Sequence, residues 1–260
     1  MRIKWYKVVA LIMRDFIIFF KSRWRVVEFF YFPVTGVIIW GLFALYTRDF
    51  ARETGLMVLV VNIFWSFAYI CQSTINLQMN EDIWSGSLKQ VLVSGISETE
   101  YILARIISSI VISSIIMIIM FFVALFFGFS IEGKLEEFFY LTLITLISSV
   151  ALAIMIAAFI IFLGRDYAFL SWTILQLFIL LSAPLFPVSI LPLPLQIIAH
   201  FMPFTNIFVA VREMVRTGFV EESILTRALM VSLVYLFLSS PLYLFAFKRA
   251  KKTGKLANIG

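Results

Sequence analysis

Side chains able to do covalent or proton chemistry are scarce in this chain, and none has the company that such chemistry needs. His200 is the only histidine. A lone histidine cannot supply the several ligands of a zinc site, and no Ser/His/Asp set converges on it. Cys71 is the only cysteine, which excludes an internal disulfide and a cysteine-based metal site. There is no Gly-x-x-x-x-Gly-Lys-Ser/Thr loop, so ATP phosphates have no seat of that kind here. Glu28 is the carboxylate closest to a long apolar run. Proton relays place such groups within the membrane, but Arg25 and Arg23 stand beside it, and an interfacial ion pair is the expectation. No catalytic residue, metal ligand or cofactor is therefore expected on this chain.

Three polar or broken patterns remain. Asn62, Ser66, Tyr69, Ser73 and Asn76 recur at steps of 4, 3, 4 and 3, which puts all five on one helix face. Within lipid such a stripe must face protein or water; it is either the wall of a pathway or a seam of interhelical hydrogen bonds. In residues 80–100, Trp84, Leu88, Val91 and Leu92 recur at helical spacing. Ser85 or Ser87 can cap the start of that short helix and Gly95 suits its end. Ser97-x-x-Glu100 reads as a capping box opening the next helix. The loop is thus an ordered amphipathic helix whose apolar face needs a partner, or lies on headgroups. Finally, Pro184, Pro187, Pro192, Pro194 and Pro203 break a long uncharged stretch that leads to Arg212, Glu213, Arg216 and Gly218. Proline cannot continue a helix, so residues 186–218 read as a re-entrant pair of half-helices. Arg212 and Glu213 either gate an exit there or pair structurally.

The elements that must position these patterns follow from composition. Hydrophobic residues make up 62% of the chain and charged ones 14%, with a mean hydropathy of +1.03. Soluble domains carry roughly 45–50% apolar and about 25% charged residues, so lipid must be part of the solvent. Windows of about 20 apolar residues mark spanning helices. They fall at residues 29–47, 55–79, 106–131, 138–164, 167 to about 185, and 228–247. Residues 3–24 alternate basic and apolar positions, with Trp5, Val8, Val9, Ile12 and Phe16 near one face, as in a helix lying in the interface. Lys4, Lys7, Arg14 and Lys21 also argue against a cleaved signal peptide. With both ends inside, cytoplasmic segments hold 15 Lys and Arg against 6 outside, the bias expected of that orientation. The expected fold is an all-α integral membrane protein, a single domain over residues 1–260 with six transmembrane helices. The net charge of +6 sits at membrane edges and speaks for lipid headgroups rather than nucleic acid as its partner.

In this order and spacing the chain resembles the type-two permeases of ATP-binding-cassette exporters. The loop Glu81-Asp82-Ile83-Trp84-Ser85-Gly86-Ser87-Leu88, running on to Leu92-Val93-Ser94-Gly95-Ile96-Ser97, matches where that family favours an acidic residue, Gly-Thr-Leu and Ser-Pro. Ser87 replaces the threonine and Gly95 the proline. Phe186-Pro187-Val188-Ser189-Ile190-Leu191-Pro192, then Pro203-Phe204-Thr205 and Arg212 to Gly218, is similar to the family's re-entrant signature. The resemblance implies a plasma-membrane permease with both termini cytoplasmic. It implies two copies of a separate ATPase subunit and a second permease subunit, a homodimer in the simplest case. The loop would be a cytoplasmic coupling helix, with Glu81, Trp84, Gly86, Leu88 and Leu92 as its ATPase-coupling residues. Export of an amphipathic, hydrophobic or lipid-linked substrate would follow. The competing classes are an ion-gradient-driven transporter or channel, which the scarcity of intramembrane carboxylates disfavours, and a non-transporting assembly subunit.

Overall fold

The computed structural model describes residues 3–130 and 133–253, and every regular element among them is helical. Helix α1 (Trp5–Lys21) is followed by α2, a continuous helix over Arg23–Tyr46 that contains a π-helical turn at Val27–Tyr31. Helix α3 (Arg48–Trp84) runs back, broken only by the non-helical Ala51 near its start. A short α4 (Ser87–Val93) leads to α5 (Glu98–Phe126), α6 (Leu135–Leu163) and α7 (Leu170–Leu181). Helices α8 (Leu193–Phe201) and α9 (Thr205–Thr217) meet at 90° before α10 (Glu222–Lys252) closes the chain. Helices α2, α3, α5, α6 and α10 are long and apolar enough to cross a membrane, and the bent α8–α9 pair passes the same test only if taken as one. This is an all-α integral membrane protein. Ile131, the expected end of the third span, lies outside the described residues, as do residues 1, 2 and 254–260 of the domain.

Helices α3 and α6 form the centre, and α2 and α10 lie mostly at the outside. Without a hydrophobic force between helices in lipid, close approach depends on small and hydroxyl-bearing residues. Helix α6 supplies them: Ser148, Ser149, Ala151 and Ala153 are buried, and the Ser148 hydroxyl hydrogen-bonds that of Ser232 in α10 at 2.6 Å. The α2–α3 turn shows the same requirement. A methyl group on Gly55 would stand 2.8 Å from Ala44 Cα, so the hairpin closes only around a glycine.

Four expectations change. The fifth span is an α-helix of 12 residues, roughly 18 Å at about 1.5 Å per residue, well short of a hydrocarbon core of about 30 Å. Pro184 and Pro187 end its course, and the irregular residues 182–192 carry the chain onward. The second span overruns its predicted end, because α3 continues without a break from residue 79 to Trp84. Trp84 therefore belongs to α3 and not to the loop helix. Gly86, in the left-handed conformation at φ 70°, occupies the cap position of α4 expected for Ser85 or Ser87. The face of α1 is also rotated: Val8, Leu11, Asp15 and Phe19 are buried, while Trp5 and Val9 are exposed.

Candidate functional site

The expected capping box forms, and the segment expected to be re-entrant is a helix pair, α8 and α9, bent by 90°. Ser97 Oγ accepts from Glu100 N at 3.2 Å, and Glu100 Oε2 accepts from Ser97 N at 2.9 Å. This box starts α5 at Glu98, eight residues before the uncharged run begins, so Arg105 lies two turns inside a helix. There it is 1% exposed. Its guanidinium pairs with Asp15 of α1 and with Asp82 of α3. Asp82 Oδ2 also accepts from Arg14 Nη2 at 2.8 Å and from the Tyr101 hydroxyl at 2.8 Å, and Asp82 Oδ1 accepts from Ser87 Oγ at 2.8 Å. Two arginines and two aspartates thus form a neutral cluster. That balance is what makes burial tolerable, since an unpaired charge there would carry its whole desolvation penalty.

This cluster joins four elements through side chains alone: Arg14 and Asp15 from α1, Asp82 from α3, Ser87 from α4, and Tyr101 and Arg105 from α5. Backbone contacts reinforce it. Lys4 N donates to Glu100 Oε1 at 2.8 Å, and Lys7 Nζ bonds the carbonyl of Gly95. Lys251 of α10 pairs with Glu98 at 3.0 Å. The first and last described turns of the chain therefore meet at the N-terminus of α5. None of Arg14, Asp15, Asp82 or Arg105 stood out in the sequence as a site. The capping box was the signal that placed Arg105 inside α5.

Of the predicted coupling residues, Leu88 is fully buried and Leu92 half-buried, so the apolar face of α4 is filled by the protein itself. Val91, on the same face, is buried too. What α4 and the end of α3 leave exposed is Trp84, Lys89, Gln90 and Val93, the last at 88%. Glu81 forms an ion pair with Arg25 of α2. Glu28 consequently does not take the expected pairing: it makes no hydrogen bond or ion pair with any described residue.

The polar stripe on α3 divides by depth. Asn62, Ser66 and Tyr69 line a recess of 440 Å³ together with Trp24, Glu28 and Trp65. Ser73 and Asn76 are buried, and Asn76 Nδ2 donates to the Ala153 carbonyl of α6 at 2.9 Å. Beside Asn76 runs a second row that sequence spacing did not single out. Gln72 Nε2 donates to Asn76 Oδ1 at 2.5 Å and to the Ser171 carbonyl at 3.0 Å, and Asn80 Nδ2 donates to Ser171 Oγ at 2.8 Å. Asn76 thus makes the interhelical hydrogen bond, and Asn62, Ser66 and Tyr69 line the recess.

At the opposite end, Arg212 Nη1 donates to the carbonyls of Ala183 and Pro184 at 2.6 and 2.9 Å. These are backbone oxygens freed where α7 stops, and they need a donor at membrane depth. Glu213 lines a recess with Glu53 and Arg216 and accepts from Glu221 N at 3.4 Å. Arg212 and Glu213 do not pair with each other. His200 is exposed in the last turn of α8, and Cys71 is buried. Among the described residues no His, Cys, Asp and Glu group could hold a metal.

A multi-pass helical bundle with no catalytic constellation, a broken segment at one end and a short helix clamped by charges at the other has the build of a transport membrane domain. The pattern of the ABC-2 family transporter proteins matches residues 30–247, and the chain belongs to that family. A search of curated proteins finds no match. Family membership makes the chain a permease subunit of an ABC transporter and implies an ABC ATPase subunit as partner.

Proposed function

We propose that this chain is the membrane-spanning permease of an ATP-driven exporter in the plasma membrane, with both termini and α4 in the cytoplasm. The positive charge bias supports that orientation. Two separate ATPase subunits and a second copy of this chain would complete the transporter. The observation that carries the mechanism is the position of Ser87 of α4 on Asp82, which the buried arginine ties to α1 and α5. An ATPase pressing on Trp84, Lys89, Gln90 and Val93 would move α4. Because the apolar face of α4 is packed within the bundle, that motion cannot be absorbed locally. It passes through Asp82 and Arg105 into α3 and α5, and Asn62, Ser66 and Tyr69 on α3 are carried with it. Arg212 would brace the outer end of the route, with Glu213 and Arg216 lining the exit. The cluster gathers all its charges at one end of the bundle, where they transmit force. A proton relay would need ionisable groups distributed across the membrane.

The test is a gentle-detergent isolation of the chain from its native host, followed by identification of bound proteins and an ATPase assay. A stoichiometric ATPase, lost in the Lys89→Glu/Val93→Asp variant, is the expected result. A clean preparation without an ATPase, with flux that follows an ion gradient, would overturn the proposal.

A further inference from the structure

The recess beside the π-helical turn has a composition that selects by charge. Glu28 supplies a carboxylate with no hydrogen bond or ion pair to a described residue; Arg25, whose charge still acts on it, forms its ion pair with Glu81. Trp24, Trp65 and Tyr69 stand in the same lining, and no lysine or arginine does. Asn62 adds a buried oxygen, Oδ1, that has no hydrogen-bond partner. The volume of 440 Å³ falls in the range of small-molecule sites, about 300–1,000 Å³. The π-turn over Val27–Tyr31 carries Glu28, and such turns cost hydrogen-bond geometry and concentrate at functional sites. A carboxylate without an ion pair in a recess lined by aromatic side chains and by no basic one favours a cation with an apolar body.

We infer that this recess binds organic cations carrying an apolar body, with Glu28 as the counter-charge and Trp24, Trp65 and Tyr69 as the surrounding walls. The inference rests on the permease reading only for the role of that cation as cargo; the site itself is a property of the chain alone. The same chemistry is offered by a choline or ethanolamine headgroup.

The probe pair is tetraphenylphosphonium and tetraphenylborate, which share a shape and differ in sign. Equilibrium dialysis of the full chain in maltoside detergent reads both. The expected result is binding of the phosphonium about tenfold or more tighter than the borate, the scale of one desolvated charge contact. Glu28→Gln should erase that preference, while Glu28→Asp keeps most of it and both variants remain monodisperse. Displacement of the phosphonium by a phosphocholine lipid would identify a headgroup as the natural occupant; resistance to displacement would identify a transported cation. Equal binding of the two probes by the unmodified chain, or an unchanged preference in Glu28→Gln, would overturn the site. Neither result depends on the ATPase: loss of the site with an ATPase still bound leaves the permease standing, and the converse leaves the site.

Discussion

Arg105 carries the largest consequence of any single side chain. It is buried with Asp15 and Asp82 on either side, and Arg14 balances the sum. Replacing Arg105 by methionine leaves two buried carboxylates against one arginine. A loss of roughly 3–5 kcal/mol follows for a broken buried pair, read as a lowered midpoint in thermal unfolding of the purified chain. Adding Asp15→Leu to Arg105→Met restores neutrality, because Arg14 and Asp82 still face each other at 2.8 Å. The double variant should therefore be more stable than Arg105→Met alone, yet transmit no ATPase-driven motion to transport. Recovery of both stability and transport would show the cluster to be structural only. These four charged residues were hard to read from the sequence for a definite reason. Apolar periodicity gives no weight to Asp15, although it lies on the buried line of α1. Arg105 falls before the uncharged run that marks the third span, although the capping box eight residues earlier already starts the helix.

At the scale of elements, α4 has one packed and one open face. Leu88→Asp should abolish folding, since the position has no access to solvent and an unpaired buried carboxylate carries a severe penalty. Lys89→Glu/Val93→Asp should leave thermal stability within about 0.5 kcal/mol, as surface substitutions generally do, while abolishing ATPase association. Gly86 joins α3 to α4 at φ 70°, with nothing within 4 Å of an added Cβ. Gly86→Ala thus isolates the backbone strain, about 1–2 kcal/mol, and reads it in the unfolding midpoint. The helical repeat at Leu88, Val91 and Leu92 was legible as a helix. The break at Ser85–Gly86 was not, because Trp84 keeps the same spacing on the preceding helix. The break in the segment that holds α8 and α9 was legible from its prolines, whose effect on backbone bonding is local. The shortness of α7 depends on how residues 182–192 turn away, which no local pattern encodes.

For the whole molecule, the hydrogen bond of Lys4 N to Glu100 and the ion pair of Lys251 with Glu98 put the first and last described helices at one end of the bundle. Glu136, Glu137 and Glu222 share a recess at the other end. Single cysteines at positions 7 and 251 should thus react with a membrane-impermeant maleimide from one side of sealed vesicles, and a cysteine at 137 from the other. Cys71, being buried, gives no background. Labelling of positions 7 and 251 from opposite sides would contradict the arrangement. The five long spans were legible because hydropathy reports the solvent of a segment directly. The centrality of α3 and α6 was less so, since lipid-facing and protein-facing apolar residues look alike in composition.

The twelve-residue α7 has a consequence for the surrounding bilayer. Five helices match a full hydrocarbon thickness, and this one stops well short of it. Its outward side, with Trp172, Leu177 and Leu180 exposed, offers lipid a hydrophobic height lower than that of its neighbours. Acyl chains along that flank must shorten or splay to meet it. Where this flank meets lipid the bilayer thins to match it, and lipids with short or disordered tails gather there.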